Sequence, residues 1–448
     1  MSLIYNASFD SQTRVLSLLD KAGNVISSCE VPSKELVDNP KKPLMLRSLK
    51  NASTVKLIKN GTLSNTYQTS KNGTDWTDYT LGTKINLNNE DVVYFRCSNH
   101  PTTQSSSNYV QFVMTGKIEA WHNAYSMISS SFTNTGDSVG DYGMYYLFGG
   151  CRSLTKSPLL VNTLANSCYN DMFDGCTSLT KAPALPAATL ESYCYNDMFR
   201  DCTALTQAPS LPATTLARCC YQSMFMNCTA LTQAPSLPAT TLGTQCYSNM
   251  FRDCTALTQA PSLPATTLAN YCYDSMFFGC TSLAKAPNLP ATTLSDHCYE
   301  SMFNGCSSLA KAPDLPVTTL VKYCYQSMFN GCSSLTQAPN LPATTLAVSC
   351  YNSMFRECPS LTQAPNLPAT TLAGSCYRNM FENCSVLAEV RIAATTTASN
   401  ALTNWLLNVA SSGTVYAAPN FNDLPTNNVS GIPSGWTRKP LSDYPVNP

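Results

Sequence analysis

Cysteine is the residue of this chain with the most chemistry in it, and it recurs on a fixed period. One series runs Cys168, Cys194, Cys220, Cys246, Cys272, Cys298, Cys324, Cys350 and Cys376, always 26 residues apart. A second runs Cys151, Cys176, Cys202, Cys228, Cys254, Cys280, Cys306, Cys332, Cys358 and Cys384, with a single step of 25 at its start. Together they take 19 of the 22 cysteines; Cys29, Cys97 and Cys219 stand outside. Thiols in this number could be bridged, hold a metal or fill a core. On a helix the two cysteines of one unit are about 12 Å apart along the axis, and a disulfide needs Cα atoms within about 7 Å. Equivalent cysteines on neighbouring helices are about 8–10 Å apart, also too far. Zinc sites favour closely spaced cysteine pairs with histidine, whereas only His100, His122 and His297 exist. The preferred reading is small, buried apolar filler. Cys219, in ARCCY, falls on a variable face, where an exposed free thiol is expected.

No other constellation stands out. The chain lacks G-x-S-x-G, H-E-x-x-H, a phosphate-binding P-loop and C-x-x-C. His297, in SDHCY, occupies a variable position and is expected to face solvent. Asp201, Asp253 and Glu357 precede the second cysteine of their units and read as solvated ends rather than paired catalytic carboxylates. The expectation is a protein that is not an enzyme, with no cofactor and no metal. Basic and acidic residues balance at 27 each, and charged residues are only 12%, so no basic face collects phosphates and nucleic acid is not an expected partner. The start, MSLIYNASFDSQTRVL, lacks the pattern of a secretory signal. No apolar run approaches the ~18–20 residues of a membrane helix.

The elements that position the cysteines follow from the period. Met-Phe recurs from Met172 to Met380 every 26 residues, with Leu147-Phe148 as a degenerate earlier copy. Such a period marks a solenoid whose units bury their core only against neighbours. Within one unit, TLANYCYDSMFFGC (267–280) predicts a helix. Leu268, Ala269, Cys272, Tyr273, Met276, Phe277 and Cys280 would share the packed half, and Asn270, Tyr271, Asp274, Ser275 and Phe278 the other. Thr266 or Thr267 would cap it. A short strand is expected from Leu257 towards Ala260, cut off or bulged by Pro261.

The phrase C-x-S/A-L-T-x-A-P-x-L-P-A-T-T-L-x-x-x-C-Y-x-x-M-F-x-x-C resembles the BspA-like, Treponema-type leucine-rich repeats, over roughly residues 146–386. The resemblance implies an α/β leucine-rich-repeat-like solenoid of about ten strand-turn-helix units, preceded by small all-β domains. The unit is about three residues longer than the family pattern. Before the array, residues 1–40 alternate as a β-module with a KAGN turn. Residues 41–118 read as a β-sandwich-like domain in which SKNGTDW forms a hairpin turn with Trp76 in the core, and 119–145 as the N-terminal cap of the solenoid. Residues 387–448 read as a C-terminal cap with a helix over 398–410 and Trp405 inward.

A stack of this kind suits binding. The candidate surface is formed by the residues before and after each Ala-Pro: Lys181, Gln207, Ser210, Gln233, Ser236, Gln259, Ser262, Lys285, Asn288, Lys311, Asp314, Gln337, Asn340, Gln363 and Asn366. Many proteins resembling this family are cell-surface adhesins. The missing export signal and the N-terminal module instead resemble phage fibres, which implies a virion appendage. It would attach to other virion proteins through residues 1–40 and contact a bacterial surface glycan or protein through the solenoid. It would be a homotrimer by analogy and assembled in the host cytoplasm. That reading is the main expectation, and the surface adhesin is the alternative.

Overall fold

In the computed structural model, the structure describes residues 6–10, 15–19, 22, 25–30, 36–99, 104–129, 139–422, 424–427 and 429–444. Residues 1–39 and 40–448 form two compact units. In the first, strands Asn6–Asp10, Val15–Leu19 and Val25–Glu30 form an antiparallel sheet. The KAGN turn lies largely outside the described residues.

The second unit opens with two facing sheets. Ser53–Asn60 pairs with Tyr109–Thr115 and Ile85–Leu87. Opposite, Met45–Ser48, Tyr67–Ser70, Thr77–Tyr79, Val92–Cys97 and Ile118–Trp121 belong to a six-stranded sheet that ends on Leu154–Lys156. Alternating side chains turn inward, as period-2 patterning requires; Phe95 meets Phe112 edge to face at 5.1 Å between the sheets. SKNGTDW does make the hairpin turn, closed by Asn72 Oδ1 accepting from the Thr74 and Asp75 amides. Trp76 is not core, however. It is half-buried, with the Arg96 guanidinium 4.1 Å from its ring centre, where the ring face attracts the cation.

The solenoid departs from expectation in its backbone. The helices predicted over 267–280 and 398–410 are absent, and so is the cap at Thr266 or Thr267. Among the described residues the only helices are the short 3-10 segments Ala124–Met127 and Leu441–Asp443. The α/β strand-turn-helix class therefore gives way to a solenoid of sheets and stacked turns. In each unit alternate amides do different work. The Cys272, Asp274, Met276, Phe278 and Cys280 amides close turns onto carbonyls three residues back. The intervening Tyr271, Tyr273, Ser275, Phe277 and Gly279 amides donate sideways to the next unit, at Asp296, Cys298, Glu300, Met302 and Asn304. Five such rungs join every pair of neighbours from Tyr142–Gly150 to the segment at 399–407.

Every second turn places its third residue at positive φ, as a type II turn needs: Tyr271 at 56°, Ser275 at 52° and Gly279 at 70°. For a non-glycine residue this costs about 1–2 kcal/mol. The rungs offset it, because they leave no backbone donor of the segment without an acceptor. Burial nevertheless follows most of the expected partition: Leu268, Cys272, Tyr273, Met276, Phe277 and Cys280 are buried, whereas Ala269 is only partly so and Ser275, expected on the open half, is buried. Their rings stack in two columns, tyrosine on tyrosine and phenylalanine on phenylalanine, at 5.7–5.8 Å around this unit. Facing the turns, Leu257, Leu263 and Leu268 close the core. The short strand shrinks to isolated parallel bridges such as Gln259↔Lys285 and Thr267↔Thr293, as prolines that cannot donate require. After Cys384 the pattern continues once more: Asn400, Asn404 and Asn408 take the positive-φ positions, and Trp405, fully buried, stands in the phenylalanine column.

Candidate functional site

The Ala-Pro rows come out as the sequence places them. All fifteen side chains from Lys181 to Asn366 are exposed. Parallel bridges Lys181↔Gln207, Gln259↔Lys285, Lys311↔Gln337 and Gln337↔Gln363 put the first column in register. Its members therefore stand about one strand spacing, ~4.8 Å, apart. The second column, Ser210 to Asn366, lies three residues on, just before the buried leucine of each unit. The candidate site is thus two polar rows on a rigid backing. Exposed threonines flank it, with Thr215↔Thr241, Thr267↔Thr293 and Thr319↔Thr345 bridged in the same way. Amide, hydroxyl and ammonium groups at fixed intervals can donate to and accept from a polar chain laid along them.

The opposite, turn face carries groups that sequence reasoning passed over. His297 does not simply face solvent: its ring lies between those of Tyr271 and Tyr323, at 4.3 and 4.4 Å, and Nδ1 meets Glu300. Arg200 sits among four carboxylates: Asp174 at 2.9 Å, Asp197 at 3.3 Å, Asp201 at 3.8 Å and Asp171 at 3.9 Å. Asp171 is raised to about 7, first by burial and then by Asp197, against the opposing pull of Arg200. Burial likewise lifts Asp274 to about 6. The signal for both clusters was the 26-residue period, which sets one unit's variable residues beside those of its neighbours. Asp253 and Glu357 remain partly exposed beside Arg252 and Arg356.

Every cysteine whose side chain is described is free and buried. The reason differs from the one spacing suggested. Units joined by backbone rungs stand about one strand spacing, ~4.8 Å, apart, within the Cα range of a disulfide, so distance is not what keeps the ladder thiols free. Cys151 donates to Phe112 O of the β-sandwich, and from Cys176 to Cys384 each second-series thiol donates to the phenylalanine carbonyl of the preceding unit at 3.0–3.2 Å. That carbonyl already accepts an amide, so cysteine fills its second lone pair. Cys219 is a correction: it is buried, with Sγ 3.6 Å from Gln245 Oε1. Burial pushes the ladder thiols up, Cys298 and Cys332 to about 12. Because only the thiolate reacts, native labelling of the ladders is expected to be at least ~100-fold slower than labelling in denaturant. Thiol counting by mass spectrometry checks this, and rapid native labelling of most ladder cysteines would refute their burial.

Among the described residues no group of three or more histidine, cysteine or acidic side chains could hold a metal ion, and no helix is long and apolar enough to cross a membrane. No curated protein matches the chain. The model of the BspA type leucine rich repeat region matches residues 117–258 and 299–409, in six copies. Those spans cover the turn ladder at both ends and more than half the chain, so the protein belongs to the BspA-type leucine-rich repeat family.

Proposed function

We propose that the protein is a binding protein of the adhesin kind, which engages a bacterial surface glycan or protein through the two Ala-Pro rows. The observation that carries this reading is their alignment: fifteen exposed polar side chains recur at the same place in successive units, and bridges between units hold members of the first row in register. Rigid presentation lowers the ordering cost of binding, and repetition lets weak contacts sum along an extended ligand. Family membership supports a surface-binding role over the virion appendage. The appendage reading, with its attachment through residues 1–40 and its trimer, draws on one observation, the separate compact sheet at the N-terminus.

The test is binding of the full chain to bacterial envelopes and to immobilised surface glycans, compared with a variant carrying Gln207→Ala, Gln233→Ala and Gln259→Ala. A loss of about tenfold or more, equivalent to ~1.4 kcal/mol, is expected without a change in thermal midpoint. Unchanged binding would move the site off these rows. Stoichiometric recovery of the chain from purified virions would favour the appendage reading instead.

A further inference from the structure

The two ends of the turn ladder are finished differently. At the N-terminal end the β-sandwich takes up the acceptors of the first segment. The Phe112 amide donates to Leu147 O, Gln111 Nε2 to Gly149 O and Gln104 Nε2 to Gly143 O. At the C-terminal end the five donors that would form the next set of rungs are the amides of Asn400, Leu402, Asn404, Leu406 and Asn408. Only Asn404 has an acceptor among the described residues, the Val429 carbonyl of a segment that crosses the edge. Trp405 Nε1 fixes that segment by donating to Gly431 O. Beside the crossing lies a cleft of about 300 Å³, walled by Thr397, Ala398 and Leu402 on one side and by Pro425, Val429 and Ser430 on the other. The strand Thr396–Thr397 borders it as the edge of a two-stranded sheet, paired only with Thr371–Leu372.

We infer that this cleft is a docking site for a polypeptide segment from another molecule, laid parallel to Thr396–Leu402 as one more coil of the ladder. The open amides of Asn400 and Leu402 call for carbonyl oxygens on alternate residues. The interior shows what meets that need: Ser349 and Tyr351, at the equivalent positions, donate to Gly374 O and Cys376 O. A strand added at a sheet edge is held in the same way. A second copy cannot supply the partner through its own ladder. Its acceptor end is already engaged by the β-sandwich, and two donor ends repel. The occupant is therefore a free segment able to take up the strand-and-turn path of residues 371–378, with a small apolar residue set to enter beside Ala398 and Val429.

The experiment is hydrogen exchange on the full chain, alone and with the synthetic peptide TLAGSCYR, the sequence of residues 371–378. Alone, the Asn400 and Leu402 amides should exchange far faster than those of Ser375 and Tyr377; equally slow exchange would mean that the chain caps this edge itself, and would overturn the inference. At millimolar peptide the two amides should slow about fivefold, as expected at several times the dissociation constant, while a scrambled peptide leaves them unchanged. Ser430→Trp, which fills the mouth of the cleft, should abolish that protection with the thermal midpoint intact. No added protection by the peptide, or equal protection in the Ser430→Trp protein, refutes the site.

Discussion

Phe277→Ala is expected to destabilise the array by about 3–5 kcal/mol, the range for removing a buried aromatic ring. The ring is fully buried and stacked on Phe251 and Phe303, both at 5.7 Å, so its loss leaves a cavity bordered by two neighbours that cannot close it. They are held by the rungs Phe251 N to Met276 O and Phe303 N to Met328 O, and relaxation would break register along the stack. Repeat arrays gain stability from each unit and each junction between units. The substitution weakens one unit and two junctions near the middle of the ladder. Urea denaturation should therefore separate into two transitions. Trp76 and Trp121 report the N-terminal side, and Trp405 and Trp436 the C-terminal side. A single transition shifted by less than about 1 kcal/mol would show that the phenylalanine column is not what joins the units.

Stability should fall as pH rises from about 4 to about 7, and Asp171→Asn should remove much of that slope. The Asp171 carboxyl titrates near 7 in the fold, against an ordinary value of 3.8, because burial and Asp197 disfavour its charge. Between those values the folded chain holds a proton that the unfolded chain has released. Unfolding then releases protons, and stability declines with rising pH until the folded group has itself ionised. Asp274, raised to about 6, acts in the same direction over a narrower window. Each tenfold difference in proton affinity between the folded and unfolded chain is worth about 1.4 kcal/mol, so the asparagine variant should be more stable at pH 8 by on the order of 2–4 kcal/mol. Arg200 keeps its forked pair with Asp174 and its contact with Asp197 in that variant. Urea titrations at pH 4.5, 6 and 8 measure the effect. A variant less stable than the parent at pH 8 would mean that the Asp171 charge contributes to the cluster instead of straining it.

Period, partition and surface were legible in the residues alone. The 26-residue interval gave the stack, the constant positions gave the core from Leu268 to Cys280, and the variable positions gave rows that are exposed and aligned. Those properties depend on which side chains repeat, and the sequence states that directly. The backbone between them forms turns where a helix is expected, and the sequence carries a signal of it. Cys272, Tyr273, Met276, Phe277 and Cys280 recur on a period of four, and a helix of 3.6 residues per turn would rotate them off one face by about 40° at each step. The intervening Ser, Asn, Asp and Gly are residues that tolerate positive φ more readily than β-branched ones. What the chain by itself could not reveal is where each amide finds its acceptor. Whether Phe277 N–H bonds to its own unit, as in a helix, or to Met302 of the next depends on a neighbour 25 residues away. So do the thiol of Cys280 on the Phe251 carbonyl, the ring of His297 between two tyrosines and the proton on Asp171. Side-chain periodicity is a property of one chain segment, whereas hydrogen-bond pairing and burial of charge belong to the junction between segments, and only the tertiary structure brings those together.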